Sequence, residues 1–164
     1  MIFGLTTLAH VHVVISLVGI LSGFVVVFGL IGSKRLDAWT AIFLTTTVLA
    51  SVTGFLFPFH KFLPSHGVGI VSLVALALAI PARYVFHLTG GWRRTYVLTA
   101  IMALYLNVFV LIAQLFMKVP ALKALAPTQS EPPFLVTQVV IMASFILLAV
   151  FAAIRFRTEQ LGTA

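Results

Sequence analysis

Five apolar stretches, each about as long as a bilayer is thick, are the feature that most constrains this chain. A helix crossing the hydrocarbon core needs about 20 mostly apolar residues at about 1.5 Å rise each. Residues 10–31, 38–57, 67–88, 95–117 and 134–154 meet that requirement. The first stops at Gly32-Ser33-Lys34-Arg35, the second at Pro58, and the third ahead of Gly90-Gly91. The chain is 62% hydrophobic and 8% charged. Such a chain has too little polar surface to cover itself in water, where a soluble domain carries about 25% charged residues. Lipid as solvent removes the difficulty. The expected fold is therefore all-α, a single domain over residues 1–164, built as a membrane bundle of five transmembrane helices.

Basic residues orient the bundle. Lys34, Arg35, Arg83, Arg93, Arg94, Arg155 and Arg157 gather on one side, and Lys61, Lys118 and Lys123 on the other. Basic residues stay cytoplasmic, so the arginine-rich side is read as inside. An odd number of crossings then puts the N-terminus outside and the C-terminus in the cytoplasm. Trp39 and Trp92 fall at the same end, as interfacial aromatics do. The net charge of +7 is spread between apolar stretches and forms no patch, so no nucleic-acid partner is expected. There are no cysteines, which excludes disulfides and thiolate sites. The N-terminus has no basic leader segment, and the first stretch is read as a retained crossing. The connection 118–133 holds four prolines, which forbid a long helix, although 119–126 can form one or two turns along the membrane surface.

Helical spacing assigns faces. His12, Ser16, Gly19 and Gly23 share one side of the first helix, and the Gly19/Gly23 pair lets two backbones approach closely. Thr46, Ala50 and Gly54 share a face of the second helix, and Ser72, Ala79 and Arg83 of the third. Arg83, near a helix end, is expected to snorkel to the surface.

Two polar groups carry the functional candidates. His10, His12, His60 and His66 fall at the outer end, together with Glu131. His10 and His12 are about 200° apart around a helix, so only His12 points inward, and Ser65 is a plausible N-cap ahead of His66. One reading makes His12 and His66 the axial ligands of a b-type haem, with room left by Gly19 and Gly69 and Lys61 on a propionate. Another gathers His10, His12, His66 and Glu131 around copper or zinc. The plain alternative is interfacial imidazoles without any ligand. The second group is Asn107 and Gln114, seven residues apart on one helix face with Tyr105 nearby. They suit a quinone or lipid headgroup, or simple hydrogen bonding between helices.

Other classes lack their residues. No acid stands mid-membrane for ion-coupled transport, and neither a nucleophile elbow nor a carboxylate pair is present for hydrolysis. The chain is not expected to be an enzyme on its own. The segments 53–59 (TGFLFPF), 64–73 (PSHGVGIVSL), 104–114 (LYLNVFVLIAQ) and 118–134 (KVPALKALAPTQSEPPF) resemble a group of small, uncharacterised bacterial inner-membrane proteins. His66 and Asn107 lie inside these segments and His10 and His12 do not. The resemblance implies a multi-pass protein of the bacterial inner membrane and no activity. The expected function is a small accessory or redox-associated subunit carrying a b-type haem. The alternatives are a scaffold that binds another membrane protein through its small-residue faces, or a quinone or lipid binder.

Overall fold

The structure, a computed structural model, describes residues 2–58 and 64–157. These residues form six helices: α1 (Ile2–Ile31), α2 (Asp37–Gly54), α3 (Pro64–Tyr84), α4 (Trp92–Lys118), α5 (Pro120–Leu125) and α6 (Pro132–Arg155). Four of them, α1, α3, α4 and α6, are long and apolar enough to cross a membrane. The second apolar stretch forms a shorter helix of 18 residues. Phe55 and Leu56 close it with tight turn bonds to Val52 and Thr53, and Pro58 follows. The short α5 occupies the proline-rich connection, where the sequence allowed one or two turns.

Contacts along the helices give an antiparallel, up-and-down arrangement. His12 meets Thr53 at one end of the α1–α2 pair, and Gly29 meets Leu36 at the other. Phe55 meets His66 and Ser51 meets Ser72 between α2 and α3. Phe116 meets Phe134, and Arg93 meets Ala153, between α4 and α6. The central helix is α4, which touches every other one.

Glycines set the closest approach. A Cβ placed on Gly23 would lie 2.6 Å from Leu104 and 2.9 Å from Phe43, and one on Gly19 would lie 3.2 Å from the Thr46 hydroxyl. The small-residue face of α1 is therefore spent inside the bundle, against α2 and α4. Outward faces are strongly apolar. Leu21, Phe28, Val136, Leu147 and Ile154 are all exposed, while α6 buries only Phe134, Gln138, Phe145 and Ala152. An apolar surface this extensive is far beyond what a water-soluble monomer tolerates, so the bundle is that of a membrane protein.

Arg83 departs from expectation. It does not snorkel. It is 2% exposed, donates to the Arg35 carbonyl at 3.1 Å and pairs with Asp37, and its guanidinium lies 5.4 Å from the Tyr96 ring centroid. Among the described residues its Nε and Nη1 have no hydrogen-bond partner. The physical reason is the α2 N-terminus, which brings a carboxylate and a free carbonyl within reach of α3. A buried cation holding a surface acid is costly to separate.

Two consequences are measurable by thermal unfolding in detergent. Gly23→Val forces a side chain into the α1–α2–α4 contact and is expected to cost about 1–3 kcal/mol. Asp37→Asn strands the Arg83 charge. It is expected to cost about 1–2 kcal/mol, the low end because Asp37 is itself exposed. Adding Arg83→Met should recover part of that loss. If the double variant unfolds earlier than the single one, the pair is not what holds this end together.

Candidate functional site

One cleft of about 510 Å³ opens between α1, α3 and α4, with the end of α2 as its fourth wall. Its size falls within the range of small-molecule sites. It exists because the residues lining it are short: Ala9 and Ser16 from α1, Ala50, Ser51 and Gly54 from α2, Gly69 and Ser72 from α3. Toward the arginine-rich end Phe43, Leu104 and Gly23 pack tightly and close it.

The cleft unites the two polar groups that the sequence left separate. His12, His66, Asn107 and Gln114 all line it, with Lys118 at the same end. The walls between them are apolar, supplied by Val13, Leu17, Ile20, Val110 and Leu111 among others.

His12 is held in one orientation. Its Nδ1 lies 2.8 Å from Thr53 Oγ1. The Thr53 hydroxyl spends its only proton on the Leu49 carbonyl, at 2.7 Å. Thr53 must therefore accept, and His12 Nδ1–H donates. The neutral ring then carries its lone pair on Nε2. Phe57 packs edge-on against the same ring at 5.4 Å between centroids. His66 is buried, 6% exposed, with its ring 5.8 Å from Phe55. α3 begins at Pro64, so Ser65 lies within the first turn and lines the cleft; it is not the N-cap the sequence suggested. Asn107 reaches Thr47 Oγ1 through its Nδ2, a long contact of 3.5 Å, which leaves its carbonyl oxygen open. Among the described residues no hydrogen bond engages the Gln114 carboxamide, which lines the cleft.

Other expected site residues lie elsewhere. α1 starts well before His10, so His10 and His12 diverge as the helical period requires. His10 is exposed and bonds the Thr6 carbonyl of its own helix at 2.8 Å. Glu131 folds back over its loop, accepting from Thr128 Oγ1 at 2.8 Å and from the amides of Thr128 and Ser130. The set His10, His12, His66 and Glu131 is therefore not brought together. No group of three or more His, Cys, Asp or Glu suited to a metal ion occurs among the described residues. Tyr105 packs on Phe109 and Phe145, toward α6. Lys61 and His60 lie outside the described residues. The space expected over Gly19 and Gly69 is already taken, by Thr46, Thr47 and Asn107 in one case and by the Phe55 ring at 3.0 Å in the other.

Sequence reasoning set Ser16 and Ser72 on helix faces without assigning them to a site, and it missed Ser51 and Thr53, which bond Ser72 and His12 across helices.

Comparison of the chain with protein-family models, curated proteins and solved structures returns no match.

The loop offers a pH test. Hydrogen bonding, chiefly from Thr128, holds the Glu131 carboxyl below its ordinary value of 4.5. A depressed carboxylate stabilises its fold above the ordinary range and loses that contribution as pH falls through the lowered value. The protection of the Thr128 and Ser130 amides, relative to their intrinsic exchange rate at each pH, should therefore be high at neutral pH and fall only in acid below about 4.5. Glu131→Gln should lower that protection at neutral pH already, and unchanged protection in that variant would refute the carboxylate's role.

Proposed function

We propose that this chain is a membrane-embedded accessory subunit, not an enzyme on its own, whose cleft holds the headgroup of a quinone-class molecule. One observation carries the reading: His12, His66, Asn107 and Gln114 line a single apolar cleft. A quinone headgroup is a flat ring with oxygens on opposite edges, so it needs polar partners from more than one direction. Imidazoles reach the cleft from α1 and α3, and carboxamides from α4. An amide N–H donates to a quinone carbonyl, while His12 Nε2, left with its lone pair, accepts from a quinol hydroxyl. The apolar walls suit an isoprenoid tail. Few polar groups in a mostly apolar concavity is the usual composition of such sites.

The topology belongs to the same proposal. α2 pairs with α1 along its whole length, from Leu36 beside Gly29 to Thr53 beside His12, which supports reading it as a fifth crossing. Five crossings place the chain ends on opposite sides. The basic residues then favour an outer N-terminus, an inner C-terminus and a bacterial inner membrane. The cleft would face the outer half of that membrane.

A second reading has its own support. The Thr53 bond fixes the His12 ring and leaves Nε2 unprotonated, the arrangement a haem-iron ligand needs. His66 lines the same cleft. Against it stand Gly19 and Gly69, whose faces are covered by protein.

Purification in mild detergent followed by solvent extraction tests both. The proposal expects bound quinone, and titration with a short-chain quinone should be about three- to tenfold weaker in Asn107→Leu or His66→Phe, the loss of one hydrogen bond each. Protein that neither retains nor binds quinone would overturn it. A Soret band lost in His12→Ala and in His66→Ala would select haem instead, and colourless protein from haem-supplied cells would end that alternative.

A further inference from the structure

A second hollow lies at the opposite, arginine-rich end of the bundle, in the groove between the start of α4 and the end of α6. Its volume is about 630 Å³. Three arginines rim it, Arg93, Arg94 and Arg157, and its floor is Leu98, Val150 and Ile154. The two parts differ sharply in chemistry. The rim is cationic, and the floor continues into the exposed apolar faces of α4 and α6.

No acidic side chain among the described residues pairs with this rim. Asp37 is the only acid in the ion pairs of the described residues, and it serves Arg35 and Arg83. Among the described residues neither the Arg94 nor the Arg157 side chain has a hydrogen-bond or ion-pair partner, and both residues are exposed. Arg93 is fixed instead. Its Nη1 donates to the carbonyls of Ala153 and Phe156, so it satisfies groups that the end of α6 leaves unpaired. That contact anchors one guanidinium against the groove and brings the α6 terminus, with Arg157, beside Arg94. Ser33 adds a second anchor, its hydroxyl accepting from the Arg157 amide at 3.0 Å.

We infer that this groove is a binding site for one anionic phospholipid, with the headgroup phosphate between Arg94 and Arg157 and an acyl chain along Leu98, Val150 and Ile154. Arginines present planar N–H pairs to phosphate oxygens. Basic pockets between transmembrane helices recognise anionic headgroups by this combination. The apolar floor is what selects a lipid over a free phosphate ion or an acidic peptide. The site is separate from the cleft lined by His12 and His66 and does not depend on what that cleft holds.

Native mass spectrometry in detergent, with added phosphatidylglycerol or phosphatidylcholine, tests the assignment. Phosphatidylglycerol should be retained at one copy per chain and phosphatidylcholine lost. Arg94→Gln and Arg157→Gln should each weaken retention about fivefold, whereas Lys123→Gln, at the other end, should leave it unchanged. Arg93 is left intact because it also holds α6, and unfolding temperatures of both variants should match the parent. Equal retention of the two lipids, displacement of phosphatidylglycerol by millimolar inorganic phosphate, or variants that bind as the parent does would each overturn the inference.

Discussion

The close approach of α1 to α2 and α4 at Gly23 is the contact on which the rest depends. In lipid no hydrophobic drive pulls helices together, so packing must come from shape. Gly23 accepts Phe43 and Leu104 where any side chain would collide. Once that contact is made, the heights of the three helices are fixed relative to one another. Gly19 then falls against Thr46 and Asn107, and His12 falls level with Thr53. The same residue type has the opposite effect one layer further out. Beyond Gly19, small side chains face one another without interpenetrating, and the helices enclose a cleft instead of a core.

Much of this was legible from the sequence. Apolar length alone located the helices, with most ends displaced by a few residues, although α1 begins at Ile2, well ahead of the expected residue 10. The 3.6-residue period separated His10 from His12 and placed Ser72 and Ala79 on one inward face, and both are buried. What periodicity cannot supply is the relative rotation and height of different helices. The imidazoles of α1 and α3 and the carboxamides of α4 each read correctly as inward, yet nothing local says they meet. Glu131 illustrates the reverse error. Its place at the end opposite the arginines suggested a ligand, but its nearest donors are the hydroxyl and amides of its own loop, and local bonds of that kind form at little entropic cost.

Arg83 failed for a related reason. A guanidinium one turn from a helix end ordinarily reaches water, and the sequence offers no nearby acid to stop it. Asp37 is distant in the chain and becomes a neighbour only because α2 and α3 run antiparallel. The pair also divides labour between the two ends of the molecule. One end is held by charge and by backbone carbonyls capped with arginine, while the other has its polar groups spread around a space.

The Ser33 contact has a consequence for how the protein is made. Its hydroxyl sits in the turn that follows α1, the first connection of the bundle, and bonds the backbone of Arg155 and Arg157. These are the last residues of α6 and those just after it. The tie therefore cannot form until synthesis of the bundle is nearly complete. In the finished bundle that turn holds a left-handed serine, φ 57°, and until then it lacks its distant partner. Assembly of this end is a closing step that waits for the final helix, so chains released early would have the earlier helices inserted and the arginine-rich end unlatched.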